Sequence, residues 1–449
     1  MKNKQTAKVP SSRLSRFSAL GGLASRLAGN VMLEGAKKLS KGQKPSLNEL
    51  MLTPTNITHM ADKLSELRGA AMKVGQMLSM DSGELIPKEL ANILSRLRSD
   101  AKAMPHKQLI ALLKANWGDG WLEPFAHFEL NPFAAASIGQ VHLATLDTGD
   151  KLAVKLQYPG IRNSIDSDID NVATLLKLSK LIPTNVQLDP LLTEAKQQLH
   201  LEADYRHELL MLQRFQSLID SNELSKDEFI VPCTYPKLCN QNMLVMSFIE
   251  GQSIESIHLL ASETRNEIAT RLLSLFFKEL FSFRLMQTDP NFANYQYQLE
   301  SDKLVLLDFG ATREIPSEIS AQYKQLMVAA TENNRLQMAA AAQKIGFFQE
   351  EISTEQKNLV LDIFYLACEP LRFEGEYDFS NDTLATRIMQ AGQTISMKHN
   401  EWHSPPVDAI FIHRKLAGLY LLASKIGAKV NVKQLFELQL IQTPLTINL

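Results

Sequence analysis

Apolar residues recur along this 449-residue chain at two different periods, and the change between them predicts its layout. Leu14, Phe17, Leu20, Leu23 and Leu27 fall three or four apart, the spacing of one face of an amphipathic helix. A longer stripe runs from about Thr55 to Met80 through Ile57, Met60, Leu64, Leu67, Ala71, Val74 and Leu78. A further helix is expected after Pro87, through Leu90, Ile93, Leu94 and Leu97, with a boundary at Met104-Pro105. From about Phe125 the pattern shortens to strands. Ala136–Ala144 and Lys151–Gln157 are expected to pair through a turn at Leu146-Asp147-Thr148-Gly149-Asp150. One long helix is predicted from about Pro190 to Leu218, followed by a buried strand at Met243–Ile249 that ends at Glu250-Gly251. The remainder reads as helices around an Asp/Asn-rich loop at 287–295 and a strand at Leu304–Leu307. Strands first and helices afterwards predict an α+β body of two lobes.

Composition narrows the class. At 45% hydrophobic and 21% charged residues, the chain can bury a core and is not disordered throughout. The best candidate for a membrane span, Phe411–Gly427, is interrupted by His413, Arg414 and Lys415, so no spanning helix is expected. Three cysteines make no disulfide framework, and the spacing of Cys233 and Cys239 is not that of zinc ligands. Charge is uneven. Residues 1–44 carry ten Lys/Arg against one acid, Glu34, while the rest carries 37 bases against 48 acids. Three readings of this basic leader stay open: an organelle transit peptide, a helix lying on a membrane surface, or a helix packed on the body. The overall charge of −2 argues against nucleic acid as a partner, while the leader suits anionic lipid head groups.

The strongest chemistry lies in Asp289-Pro-Asn-Phe-Ala-Asn294 and in Asp308-Phe309-Gly310 at the end of the Leu304–Leu307 strand. An Asp with an Asn five residues on, then a strand delivering Asp-Phe-Gly, is the layout of a kinase catalytic loop and metal loop. Asn294 and Asp308 offer oxygen ligands to Mg²⁺, and Asp289 can accept a hydroxyl proton or orient a water. Upstream, Ala134-Ala135-Ala136-Ser137-Ile138-Gly139-Gln140-Val141 falls on a glycine-rich phosphate-loop frame in which alanine replaces two of three glycines. Alanine keeps the close approach but restricts the backbone. Some residues further on, Leu152-Ala153-Val154-Lys155 places a lysine suited to α- and β-phosphates. That lysine needs a carboxylate on a nearby helix, and Glu202, Asp204 and Glu208 are the candidates. On an unbroken helix at about 100° per residue, Asp204 and Glu208 share a face, with Glu202 pointing elsewhere.

Taken together, Lys73-Val74-Gly75-Gln76, Ala134–Gln140, Glu202-x-Asp204, Gln287-Thr288-Asp289 and Asp308-Phe309-Gly310 resemble the UbiB atypical-kinase family of ubiquinone (coenzyme Q) biosynthesis. The likeness runs from about Val9 to the Ile412-His-Arg-Lys-Leu416 segment and is strongest to the mitochondrial coenzyme Q kinase-like subgroup. It implies a protein-kinase-like fold with a helical N-terminal extension packed across the cleft, ATP and Mg²⁺ as cofactors, and ATPase activity in place of general protein phosphorylation. The expected parts are a leader at 1–44, a helical extension at 45–105, an N-lobe at 106–250 and a helical C-lobe at 251–449. In that reading Asp289 and Lys155 are catalytic. Ala134, Ala135, Ala136, Ser137, Gly139, Val141 and Lys155 hold nucleotide, with Ser247 and Ile249 at the adenine-binding hinge. Asn294 and Asp308 hold the metal, and Lys73, Gly75, Gln76, Glu202, Asp204 and Glu208 form the regulatory set, with Lys73 paired to Glu202 or Asp204 and Glu208 serving Lys155.

Gln287-Thr288 stands where protein kinases usually have His-Arg, and no Ala-Pro-Glu motif follows Asp308, which argues against peptide substrates. Expected partners are ATP, ubiquinone precursors or anionic membrane lipid, and other ubiquinone-biosynthesis proteins. The expected location is the cytoplasm, peripheral on the inner membrane face, or the mitochondrion in a eukaryote. Two alternatives remain: a kinase for a protein or small hydroxylated acceptor, and a non-catalytic, nucleotide-switched lipid chaperone.

Overall fold

The computed structural model describes residues 29–40, 50, 53, 55–56, 67, 69–71, 73–75, 103–179, 188–348, 352–381, 383–398 and 406–442. The leader stripe at Leu14–Leu27, the helix expected after Pro87, and Gln76 lie outside these residues. Within the stripe expected from Thr55 to Met80, residues 55–56, 69–71 and 73–75 are helical. The chain divides into two compact units, residues 1–209 with 234–248, and residues 210–233 with 249–449.

In the first unit, helix α1 (His106–Trp117) is followed by strands β1 (Phe125–Phe128), β2 (Ala134–Ala135), β3 (Gly139–Leu146) and β4 (Lys151–Gln157). The β3–β4 hairpin closes where Gly149 takes φ +92°, a conformation glycine adopts without strain. The Leu146 N–H donates to the Asp150 carbonyl at 3.0 Å, and the Gly149 N–H to the Leu146 carbonyl at 2.9 Å. The strand expected at Ala136–Ala144 begins instead at Gly139 and runs to Leu146, because residues 136–138 form the turn by which β2 folds back on β3. Helices α2 (Ile161–Ser179) and α3 (Leu188–Glu202) follow, then α4 (Tyr205–Asp220), whose residues from Leu210 on belong to the second unit. After strand β5 (Phe229–Ile230), which belongs to the second unit, the chain returns as β6 (Met243–Ser247). That strand stops two residues short of its expected end at Ile249. Among the described residues β1, β3, β4 and β6 form an antiparallel sheet in that order, with β2 on β3. One sheet face buries Leu152, Val154, Leu156, Met243 and Val245 against Leu109 and Leu113 of α1 and against Phe125 and Phe128. Each such side chain contributes roughly 1.5–3 kcal/mol by leaving water.

The second unit holds β7 (Gln252–Ser253), α5 (Ser262–Phe277), a π-helical turn (Lys278–Phe283), β8 (Leu285–Gln287), β9 (Tyr295–Gln298), β10 (Lys303–Leu306) and β11 (Thr312–Glu314). Helices α6 (Ser317–Thr331), α7 (Arg335–Ile345), α8 (Thr354–Ala367), α9 (Leu384–Lys398), α10 (Val407–Lys425) and α11 (Val432–Gln442) complete it. Strands β5, β10, β9 and β7 make one small sheet, and β8 and β11 pair antiparallel. Helix α10, the apolar segment broken by His413-Arg414-Lys415, buries Phe411, Ile412, Leu416, Leu419, Tyr420 and Leu422 as a core helix of this unit. Among the described residues no helix is long and apolar enough to cross a membrane. The class is α+β.

Candidate active site

Alternation along β4 decides where Lys155 goes. Leu152, Val154 and Leu156 enter the core, so Ala153, Lys155 and Gln157 occupy the opposite face. Lys155 lies across from Val141 on β3 and Leu244 on β6. Its Nζ donates to both carboxylate oxygens of Glu208, at 2.8 and 2.9 Å, and sits 5.2 Å from the centre of the Tyr205 ring. Both members of this pair are buried.

Glu208 reaches that position because the helix expected from Pro190 to Leu218 is broken. The Ala203 carbonyl is taken by the Gln157 amide at 2.8 Å, and the Tyr205 N–H donates to the Gln241 carbonyl at 3.1 Å. Asp204 turns its own side chain to the Arg206 N–H at 3.1 Å, the local bond that stops helices and starts turns. The helix therefore ends at Glu202 and restarts at Tyr205 on a new bearing. Asp204 belongs to neither helix, so the face shared by Asp204 and Glu208 does not exist. The three acids separate instead. Glu202 pairs with Lys73, which is 4% exposed. Asp204 stays at the junction with Gln241 at 3.3 Å and Arg162 at 3.5 Å, and Glu208 serves Lys155.

The alanine loop is tied down from inside. Ala134 and Ala135 pair with Val141 and Gln140, and the Ala136 N–H donates to the Gly139 carbonyl at 2.9 Å. Gly139, the surviving glycine, has a packing reason: a Cβ there would lie 2.1 Å from the Leu156 carbonyl oxygen and 3.1 Å from the Tyr205 hydroxyl. Ser137 is half-buried and Ile138 is buried. A Cβ on Gly69 would stand 2.9 Å from Ile138 Cγ2 and 3.3 Å from the Ser137 carbonyl oxygen. The N-terminal helical segment thus rests on the alanine loop at Gly69, a residue the motif reading passed over. The run of small residues Gly69-Ala70-Ala71, all buried, was its signal. Gly75 is buried in the same segment. At the other end of the sheet, Ser247 closes β6 and Ile249 follows it, both half-buried.

In the second unit, β8 carries the chain to Asp289 and β11 brings back the chain that has just passed Asp308. Gln287, in the position of the usual kinase histidine, fastens the two together. Its side-chain amide donates to the Asp308 carbonyl at 2.7 Å and to the Leu307 carbonyl. The Thr288 hydroxyl and N–H both donate to the Ala311 carbonyl. Asn294 Nδ2 donates to the Asp289 carbonyl at 3.3 Å, and its own carbonyl accepts the Leu307 N–H at 2.8 Å. Asp308 takes φ +58°, a left-handed conformation that Asp tolerates better than most residues, and its Oδ1 accepts the Gly310 N–H at 3.2 Å. Phe309 is fully buried against Phe215, with ring centres 5.1 Å apart.

Among the described residues no group of three or more His, Cys, Asp or Glu is arranged to hold a metal by itself. The donor types of Asn294 and Asp308 would suit Mg²⁺ in another way. With its amide nitrogen turned to Asp289, Asn294 keeps Oδ1 as a ligand, and a cation held by one or two protein oxygens completes its shell with phosphates and water.

Helix α10 supplies what the motifs did not disclose. Arg414 Nη2 donates to Asp289 Oδ1 at 2.9 Å. Lys415, fully buried, lies 3.3 Å from Glu279 and donates to the Gln287 carbonyl at 2.9 Å and the Tyr295 hydroxyl at 2.8 Å. Burial opposes its charge, yet Glu279 and Tyr295 together hold its pKa above the ordinary lysine value. Burial also raises the pKa of Glu279, against the pull of Lys415. Gly418 lets the helix approach the loop, since a Cβ there would fall 2.3 Å from Pro290 Cβ.

A family model described as the ABC1 atypical kinase-like domain matches residues 96–342. The chain is 35% identical over 435 residues to the mitochondrial atypical kinase COQ8 of Saccharomyces cerevisiae, covering 96% of this chain and 86% of that protein. To the mitochondrial atypical kinase COQ8B of Rattus norvegicus it is 35% identical over 432 residues, covering 96% and 81%. Among solved structures, Rv3197 of Mycobacterium tuberculosis, determined with erythromycin, superposes with a TM-score of 0.59 at 24% identity over 87% of this chain and 96% of that one, a shared fold. The α+β architecture is thus the kinase-like one its motifs led us to expect, and the chain belongs to the ABC1 atypical kinase-like family.

Proposed function

We propose that this protein is a Mg²⁺- and ATP-dependent atypical kinase/ATPase that supports ubiquinone biosynthesis, hydrolysing ATP in response to lipid or lipid-like intermediates. The observation that carries the reading is the fastening of Asp289, Asn294 and Asp308 into one cluster by Gln287, Thr288 and the Asn294 amide. In the first unit Lys155, held by Glu208, supplies a cation for phosphate oxygens. In the second, Asn294 and Asp308 hold Mg²⁺, which when bound neutralises charge on the phosphates, and Asp289 orients the attacking water. The alanine loop and the adenine contacts near Ser247 and Ile249 complete nucleotide binding. The relatives named as the mitochondrial atypical kinases COQ8 and COQ8B support the pathway, ubiquinone precursors and other ubiquinone-biosynthesis proteins as partners, and a mitochondrial location in a eukaryotic host. The basic residues of 1–44 support attachment to an anionic membrane surface.

Phosphate release from Mg-ATP by the full chain tests the proposal. Asp308→Asn should lose Mg²⁺-dependent nucleotide binding, whereas Asp289→Asn should keep binding and lose about 10²–10⁴-fold in kcat. Unchanged turnover in both variants would remove the cluster from catalysis. Deletion of the protein in its host should deplete ubiquinone; a normal ubiquinone content would disprove the pathway assignment.

A further inference from the structure

The loop from Asp289 to Asn294 contains no lysine or arginine. Phosphoryl transfer spreads negative charge over the equatorial oxygens of the moving group, and fixed cations lower that barrier. In the second unit three cations of α10 come to this loop or its flanks: Lys425, paired with Glu255, lies over the Phe292 ring, and the other two, Lys415 and Arg414, differ in setting. Lys415 is sealed among Glu279, Tyr295 and the Gln287 carbonyl, with its side chain 1% exposed. Arg414 binds the carboxylate of Asp289 directly and keeps 14% of its side chain exposed, beside 22% for Asp289. A guanidinium carries five N–H donors in a planar fork, and the bond to Asp289 engages one nitrogen.

We infer that Arg414 is a phosphate-facing cation contributed by α10, which holds Asp289 with one arm and stabilises the transferring phosphoryl group with the other. This rests on the ATPase reading above. Two observations support it. Helix α10 is fixed to the loop on both sides of the arginine's reach, by Lys415 on the Gln287 carbonyl and by Gly418 against Pro290, so the guanidinium is placed by rigid structure. Asp289 is coupled through its backbone carbonyl to Asn294, so Arg414 reaches the same loop that carries the candidate metal ligand.

In the step itself, the water oxygen forms a bond to the γ-phosphorus as the bond from that phosphorus to the β,γ-bridging oxygen breaks. The bonding pair stays on ADP, and one proton of the water passes to solvent past Asp289, leaving ADP and phosphate. Arg414 takes no proton; it offsets the charge that accumulates on the phosphoryl oxygens.

The test compares the full chain with Arg414→Ala, Arg414→Gln and Arg414→Lys in Mg-ATP hydrolysis, Mg-ADP binding and trapping of Mg-ADP with fluoroaluminate, a mimic of the planar phosphoryl group. The two neutral variants should lose about 10²–10³-fold in kcat. Their Mg-ADP affinity should be unchanged and fluoroaluminate no longer trapped, with Arg414→Lys intermediate. If Arg414→Ala does not fold, Arg414→Gln, which keeps a hydrogen bond to Asp289, decides. Unchanged kcat, retained trapping, or a loss confined to KM and Mg-ADP affinity would overturn the role, and so would failure of both neutral variants to fold. A parent protein that hydrolyses no ATP would overturn the ATPase reading and this inference together. An active parent matched by its Arg414 variants would overturn Arg414 alone.

Discussion

Each unit holds one functional charge by an opposite charge, and the two pairs are built differently. Lys155 and Glu208 are 53 positions apart, both sealed from water, and joined by two hydrogen bonds. Asp289 and Arg414 are 125 positions apart, part-exposed, and joined by one. A sealed pair is costly to break because the survivor keeps an uncompensated charge away from water. A part-exposed pair can be rehydrated, so its loss is felt in chemistry more than in folding. The first unit thus couples its cation to stability, while the second leaves its acid and arginine partly open to water.

The most direct way to break that contrast is Glu208→Ala. It should destabilise the protein by about 3–5 kcal/mol, against roughly 1 kcal/mol or less for Arg414→Gln. Denaturant melts at neutral pH measure both. Equal losses in the two variants would mean that burial does not separate the pairs.

Legibility followed the same divide. Lys155, Asp289, Asn294 and Asp308 stand in short motifs whose spacing reflects one hairpin and one loop, so residue type and order were enough to find them. Their partners were harder. Which acid serves Lys155 depends on the break at Ala203-Asp204, which Gln157 and Gln241 impose from β4 and from the chain before β6. Helical periodicity alone ran straight through that break. Arg414 and Lys415 were visible only as charges spoiling a membrane span, because nothing local tells a helix that it will lie on a loop far away in the chain. Gly139 looked like a phosphate-loop residue, yet its missing side chain makes room for the Leu156 carbonyl. Spacing reports chemistry, and it reports packing only when both partners are close in sequence.

Acid should sharpen the comparison, because α10, which brings Arg414 to Asp289, also carries a half-buried histidine among aromatic rings. His413, next to Arg414 on α10, is pushed down to about 4 by burial. It is hydrogen-bonded to the Tyr323 hydroxyl at 2.9 Å and stacked on Phe347 with ring centres 5.6 Å apart. Its folded pKa lies below the ordinary 6.5, so the unfolded chain takes up the proton first as pH falls. The stability from neutral His413 is complete above about pH 6.5 and is lost progressively toward pH 4, roughly 3 kcal/mol over the window. Melts at pH 7 and pH 5 should show a steeper loss for the parent than for His413→Gln. Parallel slopes would exclude His413 as a source of acid sensitivity.

The smallest effects come from two glycines, one beneath each loop. In Gly418→Ala the new methyl would meet the Pro290 ring, whose closest atom is Cβ at 2.3 Å, and a proline ring in a fixed loop yields little. Overpacking of this kind costs about 1–3 kcal/mol, offset in part by roughly 1 kcal/mol of helix propensity. In Gly69→Ala the nearest atoms are the Ile138 Cγ2 methyl at 2.9 Å and the Ser137 carbonyl oxygen at 3.3 Å, a smaller overlap than at Gly418. The propensity gain then nearly cancels the contact, and stability should change by less than about 1 kcal/mol in either direction. The readouts should part in function too. Gly418→Ala displaces Pro290, next to Asp289, and should lower kcat, whereas Gly69→Ala presses on Ser137-Ile138 of the alanine loop and should alter the ratio of ATP to ADP affinity. Melting and steady-state kinetics on both variants decide the matter. If Gly69→Ala proves the more damaging to kcat, the N-terminal helical segment does more than rest on its loop, and turnover would depend on that loop as well as on the surroundings of Asp289.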